Sequence, residues 1–173
     1  MRKLTMIGVA GAFALGLAAA ALAGGGYGDG PSTSTSTTTS PNTTSSTKTG
    51  TYSFKATLNA AQEKPSPKGA AGAVGTFTGR SVEANGSTTF TWKLRFRGLT
   101  GKAVAAHVHL GKKGISGPPL ISLCGPCKNG QTGKVTIAGS AENAMEHGKA
   151  YVNVHTAKNA GGEIRGQVVL TGK

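Results

Sequence analysis

In the stretch "AAHVHLGKKG", His107 and His109 stand one residue apart, and they are two of the four histidines in the chain. Residues two apart on a β-strand share a face at roughly 6.5 to 7 Å along the chain, which lets both rings reach one ion. Val108 and Leu110 have the opposite parity, so a strand that buries them turns both histidines away from the core. The same spacing also suits a plain polar outer face.

A third imidazole comes from "AYVNVHT", where Val152 and Val154 take the core side and Tyr151, Asn153 and His155 the other. In "GEIRGQVVL", Ile164, Val168 and Leu170 point inward and Glu163, Arg165 and Gln167 outward. The turn "AKNAGG" joins these two strands as a hairpin, which sets His155 opposite Glu163. If the "HVH" strand lies beside this hairpin, His107, His109 and His155 converge on one exposed patch, with Glu163, Tyr151 and Arg165 nearby. Three imidazoles on a rigid sheet with open coordination positions suit copper or zinc. On the same outward face Tyr151, Asn153, Glu163 and Arg165 have structural or ligand-contact roles. Glu163 and Arg165, two apart, also fit an ion pair, and Arg165 would equally bind an anion. His147, in "MEHGK", reads as an exposed turn residue.

The elements that must hold these side chains show strand periodicity. "TYSFKATLNA" alternates Tyr52, Phe54, Ala56 and Leu58 against Ser53, Lys55 and Thr57, and "GAVGTFTG" repeats the habit around Val74 and Phe77. In "TTFTWKLRFRGL", Phe90, Trp92, Leu94 and Phe96 share one face while Lys93, Arg95 and Arg97 share the other. Three cations in a row on one strand fit anion binding, and equally a solvated exterior that discourages edge pairing. Only "SAENAMEHGKA" has a helical look, with Ser140 as N-cap and Gly148 as stop. Turn signals between the runs, such as "EANGS" and "CKNGQTG", give short antiparallel strands. The fold class is therefore all-β, a Greek-key-like antiparallel sandwich or barrel.

The two cysteines, Cys124 and Cys127 in "LCGPCKNG", lack the βαβ surroundings of a redox dithiol. A disulfide closing a local turn is the expected state in an exported protein, and a soft-ligand metal site is the rival reading. Export is itself read from "MRKLTMIGVAGAFALGLAAAALA". Arg2 and Lys3 precede an apolar run that ends in small residues, so residues 1–23 are expected to be a signal peptide, with a retained anchor as the alternative. Residues 24–50, rich in Ser, Thr and Gly, have almost nothing to bury and read as a disordered linker. Residues 51–173 then form one domain. Between Thr51 and Leu170, fifteen Lys and Arg face five Glu, in a chain of formal net charge +13. Such a field favours anionic partners.

The runs "FKATLNAAQEKP", "RFRGLTGKAVAAHVHLGKKGISGPPLISLCGPC" and "GKAYVNVHTAKNAGGEIRGQVVL" resemble the CHRD domain, from Phe54 to Leu170. The resemblance implies an extracellular β domain and no established reaction. A more distant similarity, in "HVH" and "NAGG", runs to copper–zinc superoxide dismutase. That site needs further histidines and an aspartate, whereas the one aspartate here, Asp29, lies in the linker.

These observations favour a secreted or cell-envelope binding module, without enzymatic activity, that engages anionic envelope polymer or an extracellular protein. Copper or zinc binding at the histidines is the alternative. Nucleic acid is a poor partner for an exported chain, and no membrane span remains after signal cleavage. Catalysis lacks support because no nucleophile–base arrangement is visible and Glu63, Glu83, Glu142, Glu146 and Glu163 are scattered.

Overall fold

A computed structural model of the chain describes residues 49–173. The expected signal peptide and nearly all of the expected linker lie outside the described residues. The first strand, β1 (Gly50–Asn59), begins one residue before the expected domain boundary. It buries Tyr52, Phe54, Ala56 and Leu58, as its alternation requires. β2 (Val74–Ala84) and β3 (Ser87–Arg97) pair along their full lengths. Asn85 and Gly86 join them, with φ of 52° and 73°. A two-residue hairpin turn that follows strand twist needs positive φ at both positions, which Asn-Gly supplies at little cost.

After β3 the chain crosses to the opposite wall, where it forms β4 (Ala103–Leu110) and β5 (Pro119–Cys124). It then returns as β6 (Thr132–Ile137) beside β3, and continues through helix α1 (Gly139–Glu146) into β7 (Ala150–Thr156), β8 (Ile164–Gln167) and β9 (Val169–Gly172). The pairing order is β5-β4-β7-β8-β1-β2-β3-β6, with β9 also on β1, and every ladder is antiparallel. The sheet curls into a nearly closed barrel around Phe54, Leu58, Phe77, Phe90, Leu94, Val108, Val152, Val154 and Ile164. Glycine admits the largest ring, because Trp92 lies directly over Gly133, its cross-strand partner on β6.

Helix α1 spans eight residues, and its cap differs from the expected one. Ala138 is the N-cap and Ser140 is already helical. Gly148, at φ +63°, does end the segment. The helix buries Ala141, Ala144 and Met145, and the buried Glu142 carboxylate accepts a short hydrogen bond from the Ser81 hydroxyl. Cys124 and Cys127 form a disulfide with Cα atoms 5.2 Å apart. Among the described residues no helix is long and apolar enough to cross a membrane.

Candidate metal centre

β4 and β7 are neighbours, and their register sets Ala105 opposite His155, His107 opposite Asn153 and His109 opposite Tyr151. Side chains directly opposite and diagonal on one face meet, so the three histidines come together on the outer side of the barrel. His107, His109 and His155 each offer a ring nitrogen, and the three nitrogens all lie within 4.8 Å of one another. Ring centroids are 5.1 Å apart for His107 and His155 and 5.5 Å for His107 and His109.

Backbone carbonyls fix the protonation pattern, because they only accept. His155 Nδ1–H donates to the Ala160 carbonyl at 2.9 Å, and His109 Nδ1–H to the Gly117 carbonyl at 2.8 Å. In a neutral ring this leaves each Nε2 as a lone pair. His107 Nδ1 lies 3.1 Å from His155 Nε2 and donates to it. His109 Nε2 is buried and meets no hydrogen-bond partner. Both His107 and His109 are held below the usual imidazole pKa by burial and by the neighbouring rings. For His109, Arg165 adds to this and the Gly117 hydrogen bond opposes it. His109 and His155 are each anchored through Nδ1–H to a carbonyl, with His109 Nε2 left unpartnered, which matches the outer-shell pattern that orients metal-ligating histidine.

The exposed patch expected from strand parity is covered instead. Tyr151, Asn153 and Arg165 are 2%, 2% and 1% exposed, and the histidines themselves are half-buried. The loop after β4 folds back over this face and is tied down along its length. Arg165 donates to the carbonyls of Lys112 and Ile115, Gln167 to that of Gly111, and the Gly117 amide to the Tyr151 hydroxyl. The Tyr151 ring stacks on His109, with centroids 5.0 Å apart and planes 14° from parallel, and Arg165 Cζ lies 3.4 Å from the Tyr151 centroid. The strand order β4-β7-β8 puts Tyr151 between them.

Glu163 does not stand with the histidines. Gly162, at φ +131°, takes the chain out of the pleat just before β8, and parity fails there. The buried Glu163 carboxylate turns instead to Thr100, Thr156 and Asn159. It accepts from the Thr100 amide at 2.6 Å, the Thr100 and Thr156 hydroxyls at 2.5 Å each and the Asn159 amide at 2.9 Å. Burial works to raise its pKa, but these donors outweigh burial and hold it below the usual carboxylate value. Glu163 and Arg165 therefore form no pair.

The carboxylate behind the histidines is Glu63, which follows a 3-10 turn (Ala60–Gln62). It is 2% exposed, and burial raises its pKa against the opposing pull of the Lys64 amide, Arg165, Asn153 and His155. Sequence reasoning missed this role, since a residue in a turn has no periodicity to place it. His147 is exposed and bonds only to the Asn143 carbonyl among the hydrogen bonds described. Lys93, Arg95 and Arg97 lie far along the sheet, with Arg95 and Arg97 exposed and Lys93 half-buried.

An antiparallel β barrel thus mounts a histidine triad on one covered outer wall. The chain belongs to the CHRD domain family, whose pattern matches residues 54–168. No curated protein and no solved structure matches the chain.

Proposed function

We propose that this domain is a non-catalytic binding module of the cell envelope or extracellular space, and that its specific ligand is a copper or zinc ion held by His107, His109 and His155. The observation that carries this reading is the convergence of three ring nitrogens within 4.8 Å. An ion bound at about 2.0 to 2.1 Å from each nitrogen needs them roughly 3 to 4 Å apart. The His107–His155 pair already satisfies this at 3.1 Å, and small χ adjustments close the rest. The disulfide and the family favour a location outside the cytoplasm.

Thermal melting of the metal-free chain tests the reading. Zinc or copper at 100 times its dissociation constant should add about 2.7 kcal/mol, a rise of several degrees in melting temperature. His155→Ala should abolish the rise, and equal stabilisation of the variant would remove the site from consideration.

A second reading rests on a different wall. The outer face of β1, β2, β3 and β6 carries Lys55, Arg80, Lys93, Arg95, Arg97 and Lys134, separated by Thr57, Thr76, Thr78, Thr91 and Thr132, and the outward positions of these strands hold no carboxylate. This charge pattern supports engagement of anionic envelope polymer.

A further inference from the structure

The outer face of β1, β2, β3 and β6 holds a shallow groove that runs across the strands rather than along them. Its floor is the row Phe54, Gly79, Trp92 and Gly133, each the cross-strand partner of the next. Phe54 and Trp92 are buried in the core, and a side chain at Gly79 or Gly133 would strike the ring of Phe90 or Trp92 beneath it, so the floor is bare backbone. One bank is the paired row Ser53, Arg80, Thr91 and Lys134. The other is the paired row Lys55, Thr78, Lys93 and Thr132. Lys55, Arg80 and Lys134 are exposed and Lys93 is half-buried, and no acidic side chain among the described residues lines the groove.

The register orders these charges. From β1 to β6 the cation changes bank at every strand, from Lys55 to Arg80, back to Lys93, then to Lys134. Neighbouring strands lie about 4.8 Å apart, so a charge is met at each such step, and cations on one bank recur at about 10 Å. Across these ladders every groove cation faces only Ser53, Thr78, Thr91 or Thr132, whose hydroxyls both donate and accept. A complementary anionic chain must present a charge at each strand spacing, on alternate sides, with hydrogen-bonding groups between. Hexuronate residues joined by equatorial 1→4 bonds do this. Each ring advances by close to one strand spacing, successive rings are flipped so that carboxylates alternate sides, and ring hydroxyls fill the positions between. A phosphodiester chain of open polyols has no ring to fix the period, and a polymer with a uronate on every second sugar doubles it. We propose that the groove binds a 1→4-linked hexuronate ribbon laid across β1, β2, β3 and β6, with one carboxylate to each of Lys55, Arg80, Lys93 and Lys134. The proposal rests on the reading that this face engages anionic polymer, and it adds the chemical class, the direction and the length of the segment bound. It does not depend on metal at the histidines.

The test is an NMR titration of the full chain with a chelator present, at about 0.15 M salt. Tetramannuronate, an equatorially 1→4-linked uronate tetramer, should shift the backbone amides of Gly79 and Gly133 saturably. Affinity should rise with each residue from dimer to tetramer and level off in the hexamer. Tetraphosphate, which is more densely charged, and a hyaluronan octamer, which carries its carboxylates at twice the spacing, should bind at least about fivefold more weakly. Lys55→Gln with Lys93→Gln, or Arg80→Gln with Lys134→Gln, should each weaken the uronate tetramer at least about fivefold. Lys102→Gln with Lys128→Gln removes two exposed charges outside the groove and should leave the affinity within about twofold of wild type. All three variants should keep the wild-type melting temperature. Equal affinity for the three probes, unchanged affinity in either groove variant, or an equal loss in the Lys102 and Lys128 variant overturns the groove and leaves only a diffuse basic face that holds polyanions. Failure of every probe to bind overturns both the groove and the reading on which it rests.

Discussion

Nδ1 of His107 stands 3.1 Å from Nε2 of His155, on neighbouring strands and 48 residues apart in sequence. That hydrogen bond occupies one ring nitrogen on each of two candidate ligands in the metal-free domain. An arriving ion must replace it, and the His107 proton must leave or move to the other ring nitrogen.

Metal uptake should release protons, but less than ordinary imidazoles would at mildly acid pH. His107 and His109 are already shifted toward their neutral forms by burial and by one another. Zinc affinity measured from pH 7 to pH 5 should therefore fall less steeply than for a solvent-exposed histidine cluster. A slope matching that of free imidazole ligands would count against the assigned environment.

The same shifts set a pH dependence of stability without metal. A histidine whose folded pKa lies below its ordinary 6.5 binds fewer protons folded than unfolded, so stability falls as pH drops through 6.5. Denaturant unfolding should show this loss, and replacing His107 and His109 together by Gln should flatten it. Glu63, with a raised pKa, contributes the opposite slope, losing stability as pH rises above 4.5 through its folded value. An unchanged profile in the double variant would assign the loss to other groups.

Glu163→Ala should destabilise the domain by about 3 kcal/mol, because it strands several buried donors from Thr100, Thr156 and Asn159. Zinc affinity of the folded variant should stay within about twofold of wild type, since the carboxylate faces away from the ring nitrogens. A large loss of zinc affinity at unchanged stability would instead place Glu163 at the site.

Much of this arrangement is written in period-two patterns. The alternation of Phe90, Trp92 and Leu94 against Lys93 and Arg95 gives β3 and its orientation, and the parity of His107, His109 and His155 gives the shared face. Parity says which way a side chain points but not what lies over it. Tyr151, Asn153 and Arg165 were therefore expected in solvent, whereas the loop 111–118 is hydrogen-bonded over Tyr151 and Arg165, and Asn153 is buried against Glu63 and Gly162, contacts that no local pattern encodes. Glu163 shows the other limit, because one glycine at positive φ ended the strand geometry on which its assignment rested.

The outer row of β3 should matter for polyanions and little for folding. Replacing Lys93, Arg95 and Arg97 together by Gln should remove most retention on an anionic envelope polymer at low salt, and wild-type retention should itself fall steeply as salt shortens the screening length to about 8 Å. Equal retention of wild type and variant at both salt levels would leave the row as a solvated face.

The disulfide closes a very short loop, so its entropic contribution is limited to about 2 kcal/mol. Denaturant unfolding of a Cys124→Ser, Cys127→Ser variant should show a loss of that size or less, with zinc binding retained. Loss of zinc binding on removal of the thiols would revive the soft-ligand reading of this pair.

The central claim is tested most directly by calorimetric titration of zinc into the metal-free full-length chain and into its His155→Ala variant. Outer-shell partners alone are commonly worth 10 to 100-fold in metal affinity, so losing a ligand should cost at least about 100-fold. The account predicts one ion per wild-type chain and that loss in the variant, with the variant's fold confirmed by its unchanged circular dichroism. Zinc that fails to bind the wild type, or that binds the folded variant with equal affinity, would contradict it.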